Sequence, residues 1–115
     1  MKVKVNKNIF DVKTLIDKKS QSLGMMNKKF EGFDGLLFLM GGKNQCFWMK
    51  NCIVDIDIIM IQNNTITKIF HDCPPCKHEV CLSYCAKGNI VLELPGGTCN
   101  KLGIKKGDEV IYLLS

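Results

Sequence analysis

Short apolar segments, each ended by turn residues, recur along almost the whole chain. The first, residues 1–5, alternates between apolar and charged residues, and this period of two is typical of a strand with one buried face. Asn63 and Asn64, between two later segments, favour a tight turn because Asn tolerates a positive φ. The pattern predicts a mainly β fold, a small β-sandwich or open barrel of about eight short, mostly antiparallel strands. The predicted strands are residues 1–5, 9–14, 36–40, 46–50, 54–62, 65–70, 90–94 and 109–113.

Helical signals occur in two short places. Lys18–Leu23 follows Asp17, a residue type suited to capping a helix, and precedes Gly24, a residue type that commonly ends one. We therefore predict one short helix after the N-terminal hairpin. Thr98–Leu102 is compatible with a single helical turn that Gly103 stops.

The chain has 115 residues, which is the usual size of one domain, so we predict a single domain over residues 1–115. The most apolar segment, residues 53–61, is too short to span a bilayer and contains Asp55 and Asp57. The first ten residues lack the apolar run of a secretory signal. We therefore expect no membrane partner and a location inside the cell, or outside it if a leader has been removed.

The formal net charge is +5, and the sequence contains Lys but no Arg. Arg is the residue that most often reads guanine with two hydrogen bonds, so we expect no specific nucleic acid partner. The lysines are scattered along the chain, with acidic residues between them. This distribution is typical of a solvated protein surface.

The segment Phe-Trp-Met-Lys-Asn at residues 47–51 combines aromatic and polar side chains. On a strand, Trp48 and Lys50 would face one way and their neighbours the other. One interpretation is a binding surface where Trp48 stacks on a ligand; the other, which we favour for the rings, is core packing. Our first functional hypothesis is a non-catalytic binding domain for a small polar ligand or a peptide. Its candidate binding residues are Trp48, Lys50, Asn51, Asp57, Tyr84 and Glu93.

Asp57 and Glu93 are carboxylates inside apolar strand segments. Burying a charged group is costly unless a partner compensates it. A pair of such carboxylates can perform acid–base chemistry, so our second hypothesis is a hydrolase that uses Asp57 and Glu93. In the alternative, strand alternation leaves both side chains on a solvated face, where they are ordinary.

Residues 71–88 have neither a helical nor a strand period, and we predict a long surface loop there. Four thiols in such a loop suit tetrahedral Zn²⁺, so our third hypothesis is a small zinc-stabilised protein. Only one Cys-x2-Cys hook is present, however, and free thiols are the default in a reducing cytosol. The candidate zinc ligands are Cys73, Cys76, Cys81 and Cys85. The other cysteines, Cys46, Cys52 and Cys99, are expected to be small buried apolar side chains.

A series of motifs runs in order along nearly the whole chain. They are Gly-Met-Met at 24–26, Gly-Leu-Leu-Phe at 35–38, the motif at 47–51, Ile-Asp-Ile at 56–58, Pro-Pro-Cys at 74–76, Cys81, Tyr84, Val-Leu-Glu-Leu at 91–94 and Gly-Ile-Lys-Lys-Gly-Asp at 103–108. Together they resemble the domain-of-unknown-function family one hundred and ninety-two, DUF192. The resemblance implies a mainly β, sandwich-like fold with one small helix. It does not imply any particular activity, because none is established for the family. The resemblance also implies a disulfide between Cys76 and Cys81, since related sequences often carry Cys at both places.

The chain departs from the family pattern at three places. The family usually has Pro where Asp55 stands, Thr where Cys52 stands, and an acidic-Arg pair where Ser20 and Gln21 stand. If the acidic-Arg pair serves a function in the family, that function does not carry over to this chain.

Overall fold

The computed structural model describes residues 1–113. Within them the chain forms nine strands and two short helices. The elements are β1 (Lys2–Val5), β2 (Asn8–Leu15), α1 (Lys18–Leu23), β3 (Gly35–Leu39), β4 (Asn44–Trp48), β5 (Ile56–Gln62), β6 (Thr65–Cys73), β7 (Ser83–Lys87), β8 (Ile90–Pro95), α2 (Thr98–Leu102) and β9 (Val110–Leu113). The predicted mainly β fold is thus confirmed.

Seven strands form one curled sheet in the order β6-β5-β8-β3-β2-β1-β9. All neighbours in it are antiparallel except β2 and β3, which are parallel and joined through α1. The two outer strands approach each other, since Thr65 forms a bridge with Glu109 and the Val110 N–H donates to the Asn64 carbonyl at 2.8 Å. The sheet therefore has the shape of a half-barrel. Strands β4 and β7 form a separate two-stranded ribbon.

The sheet is covered on both faces. One apolar cluster contains Ile59, Ile61 and Leu92, and a second contains Ile58, Met60 and Val91. These residues alternate along β5 and β8, so the two clusters lie on opposite sides of the same strands. Both strands are consequently buried over most of their length, rather than on one face only.

Helix α1 has the bounds that its capping residues predict. The Asp17 carboxylate accepts a hydrogen bond from the Ser20 N–H at 3.2 Å, which satisfies a free donor of the first turn. Gly24, with φ +42°, ends the helix, and its N–H donates to the Ser20 carbonyl. The single turn predicted at Thr98–Leu102 is also present, and Gly103 follows it with φ +69°.

The prediction of a long loop over residues 71–88 was wrong. Strand β6 extends to Cys73 and strand β7 begins at Ser83, so the connecting loop covers only residues 74–82. The sequence of β7 has no β-branched residue, and its partner β4 lies about forty residues earlier in the chain. Pairing with a distant strand overrides weak local propensity in such a segment.

Candidate functional site

The β4–β7 ribbon lies over the second apolar cluster, and its aromatic rings point in opposite directions. The Phe47 ring packs edge-on against Phe38 of β3, with 4.9 Å between ring centroids. Tyr84, paired with Phe47 across the ribbon, packs against Phe70 at 5.3 Å. Trp48 faces outward, and half of its surface is exposed. The expectation of core packing therefore holds for Phe47 and not for Trp48.

A pocket of about 450 Å³ opens between β4 and the segment that ends α1. Its walls combine apolar, aromatic and charged side chains. Gln21 holds α1 in place beside the pocket, because its amide donates hydrogen bonds to the carbonyls of Leu15 at 3.0 Å and Leu39 at 2.8 Å. The lining residues are Lys18, Gln21, Ser22, Leu23, Gly24, Met25, Met26, Phe38, Met40, Cys46, Phe47, Trp48, Lys50, Cys52 and Glu93.

Glu93 of β8 is the buried carboxyl group of this pocket. It stands opposite Leu36 of β3 on one side and Ile58 of β5 on the other. Only 4 % of its surface is exposed. Within residues 1–113 it has neither a hydrogen bond nor an ion pair. Removal from water disfavours the charged form, and burial raises the pKa of Glu93 from 4.5 to about 8. The side chain is therefore mostly protonated at neutral pH.

The Glu93 carboxyl also influences a neighbouring thiol. Burial, and to a lesser extent the negative charge that Glu93 can carry, raises the pKa of Cys52 to about 11. Cys52 is 4 % exposed and remains a neutral thiol at physiological pH. It contributes a small apolar surface to the pocket rather than a nucleophile.

Asp57 and Glu93 lie on opposite faces of the sheet, although Ile58, the residue after Asp57, pairs directly with Glu93. Asp57 alternates with Ile56 and Ile58 of the second cluster, and so it points into the first. Its carboxylate, fully buried, accepts three backbone N–H groups: those of Asp72 at 2.9 Å, Gly97 at 3.1 Å and Cys99 at 2.9 Å. The structure thus separates the two members of the hydrolase pair and uses Asp57 to hold the start of α2 against β6.

The remaining candidate binding residues have separate positions. Lys50 lines the pocket, and its ammonium donates to the His78 carbonyl. Asn51 occupies a turn with φ +59°, where its N–H donates to the Cys76 carbonyl at 2.9 Å. Tyr84 is on the inner side of the ribbon, outside the pocket lining. Of the six candidates, the pocket brings together Trp48, Lys50 and Glu93.

The four candidate zinc ligands do not come together as one cluster in the described chain. Cys46 and Cys85 form a disulfide across the ribbon, and Cys76 and Cys81 form a second within the loop, as the family resemblance implies. Cys73 is a buried free thiol in the second cluster. Nowhere in residues 1–113 do three His, Cys, Asp or Glu side chains converge as metal ligands. Cys52 and Cys99 are buried as expected, whereas Cys46 is exposed and bonded.

Several pocket residues were missing from the sequence-based candidates. Gln21, Met25 and Phe38 come from α1, the segment after it and β3. The motifs at 24–26 and 35–38 contain two of them, but motifs alone do not reveal which side of the sheet they reach. Neither helix described in residues 1–113 is long and apolar enough to cross a membrane.

Comparison with known proteins gives a family and no activity. The family model described as "Uncharacterized ACR", DUF192, matches residues 1–112. A protein of unknown function from Novosphingobium aromaticivorans has a similar crystal structure, with a TM-score of 0.83, 27 % identity, and coverage of 96 % of this chain and 84 % of that one. A putative transcription regulator from Sinorhizobium meliloti also has a TM-score of 0.83, with 25 % identity and coverage of 96 % and 91 %. No curated protein matches significantly. The chain belongs to the DUF192 family.

Proposed function

We propose that the protein is a non-catalytic binding domain whose ligand enters the pocket between β4 and α1. The ligand has an apolar body and an N–H donor group, such as a primary amine or an amide, that reaches Glu93. The observation that carries this proposal is the Glu93 carboxyl, which is buried, lines the pocket and lacks a partner within residues 1–113. An unpaired buried polar group is costly, and a bound donor offsets that cost.

The composition of the pocket supports the same ligand chemistry. Met25, Met40 and Phe38 offer a soft apolar surface to the ligand body. Trp48 offers a half-exposed ring at the entrance. A few polar groups among apolar walls are typical of small-molecule sites. No observation favours the hydrolase or zinc hypotheses in the same way, because their residues are dispersed.

The test uses n-butylamine, which imitates a lysine side chain, and the fluorescence of Trp48, the only Trp in the chain. We expect a saturable change in Trp48 emission with a dissociation constant in the millimolar range, as is usual for a ligand of about five heavy atoms. Glu93→Leu should weaken binding about tenfold or more, because the apolar side chain offers no acceptor.

Two controls accompany the butylamine titration. Glu93→Gln retains a polar group of the same shape and should lose the preference for the charged amine over the neutral amide n-butyramide. Glu79→Gln removes an exposed carboxylate of the 74–82 loop and should leave both affinities unchanged. A non-saturable signal, or equal butylamine affinity in the wild type and Glu93→Leu, would disprove the proposal.

We also propose that the protein works in an oxidising compartment, contrary to the intracellular location that the sequence led us to expect. The support is the pair of disulfides, since such bonds persist mainly outside the reducing cytosol. Alkylation of denatured, unreduced protein from its native source should label three thiols, Cys52, Cys73 and Cys99. Labelling of all seven cysteines before reduction would contradict this expectation.

A further inference from the structure

We propose that the natural ligand is an extended peptide segment that pairs with the free edge of β4 and inserts a lysine side chain into the pocket toward Glu93. This inference rests on the proposed function of the pocket and names the class of its ligand. It follows from the hydrogen-bonding pattern of the ribbon, the position of its edge and the chemistry below that edge.

Strand β4 has only one partner in the described part of the chain. The seven-stranded sheet does not include it, and its ladder with β7 is the only one it forms. The Gly88 N–H donates to the Lys43 carbonyl at 2.7 Å, one step beyond the Asn44–Lys87 pair. Hydrogen-bonded and non-hydrogen-bonded pairs alternate in an antiparallel ladder. Asn44, Cys46 and Trp48 therefore direct their backbone N–H and C=O groups away from β7.

The disulfide is consistent with this assignment. Cys46 and Cys85 face each other directly, with Cα atoms 4.1 Å apart, and non-hydrogen-bonded pairs have the closer Cα atoms. The outward groups of Cys46 and Trp48 take part in no backbone hydrogen bond outside the ladders within residues 1–113. Unpaired groups of this kind accept an added strand.

The free edge of β4 borders the pocket. Cys46, Phe47 and Trp48 all line it, although their side chains alternate in direction, so the strand presents its edge to the opening. A peptide paired with this edge would place alternate side chains over the opening. The added strand would lie between β4 and the end of α1. The bridge between Met26 and Cys52 closes one end of this space.

Charge complementarity selects the side chain that enters. Glu93 is the only acidic residue that lines the pocket within the described chain. Burial keeps it protonated in the empty pocket, and an ammonium group bound beside it would favour the charged carboxylate and become its missing partner. Lysine carries that group on a long apolar stem, which suits walls of Met and Phe. Lys18 and Lys50 also line the pocket, so acidic residues should flank the peptide lysine.

The experiment compares three probes on the intact protein by titration of Trp48 fluorescence. The first is the peptide acetyl-Glu-Thr-Lys-Thr-Glu-amide. The second replaces its lysine with norleucine, and the third carries N-methyl groups on both threonines, which removes backbone donors. We expect the first peptide to bind at least tenfold more tightly than n-butylamine, and each modification to weaken binding at least tenfold. In Glu93→Leu the norleucine peptide should bind as well as the lysine peptide.

Hydrogen exchange gives a readout that is specific to strand pairing. The parent peptide should slow exchange of the Cys46 and Trp48 amides at least tenfold, whereas n-butylamine should not. If n-butylamine binds through Glu93 but the peptide binds no more tightly and leaves these amides unprotected, the peptide proposal is wrong and the pocket proposal stands. If neither probe binds, both proposals are wrong.

Discussion

Replacing Asp57 with Ala is expected to lower the free energy of unfolding by about 3–5 kcal/mol. The Asp57 carboxylate accepts the N–H groups of Asp72, Gly97 and Cys99, and the substitution leaves these donors without their acceptor. The three bonds join β5 to the end of β6 and to the start of α2, so their loss also loosens two connections. Urea unfolding of the variant, followed by far-UV circular dichroism, measures the effect.

Asp55 provides the matched control for this experiment. It lies two residues earlier and is exposed, so Asp55→Ala should change the free energy of unfolding by about 0.5 kcal/mol or less. Asp57→Asn keeps one acceptor oxygen and should fall between the two alanine variants. If Asp57→Ala costs no more than Asp55→Ala, the three hydrogen bonds do not stabilise the fold in the way we infer.

The second large effect is a pH dependence that Glu93 confers on stability. Its pKa is about 8 in the folded protein, against 4.5 for an exposed Glu. Between these values the folded state holds a proton that the unfolded state releases, so stability falls as the pH rises through this window. At ~1.36 kcal/mol per pKa unit, the loss between pH 4.5 and pH 8 is on the order of 5 kcal/mol.

Glu93→Gln should remove this contribution, because the amide cannot ionise. We expect the two proteins to have similar stability at pH 4 and the variant to become progressively more stable than the wild type toward pH 9. Urea unfolding across that range gives the difference curve, in which titrations common to both proteins cancel. Glu109→Gln, at an exposed position, is the control and should give a flat difference curve. A flat curve for Glu93→Gln would show that Glu93 titrates normally.

Local chemistry made some of the fold predictable. Helix α1 has the predicted bounds because an N-capping side chain and a glycine stop act within one turn of the chain. The N-terminal hairpin and the strand pair around Asn63 and Asn64 also follow from short-range signals, and both Asn residues do adopt positive φ. Strand β7 was missed because its pairing is a long-range contact that no local pattern reports.

The candidate site was only partly predictable for a related reason. One alternative from the sequence placed Glu93 on a solvated strand face. That alternative assumes that one side of the sheet is open to solvent. Here the ribbon and the segment after α1 cover one side, and α2 with the segment after it covers the other, so that Glu93 and Asp57 are both buried. Asp57 accepts hydrogen bonds from backbone groups, whereas Glu93 faces a pocket. This difference depends on elements that come from distant parts of the chain.

The order of strands in the half-barrel determines when the sheet can be completed during synthesis. Strand β8 lies between β3 and β5, yet it is synthesised after both. A nascent chain that ends before Ile90 therefore leaves β3 and β5 each with one unpaired strand edge, which is a site for association with other chains. Strand β9, last of all, covers β1. The sheet is therefore completed only after Ile90–Pro95 has been synthesised, and until then its open edges favour aggregation.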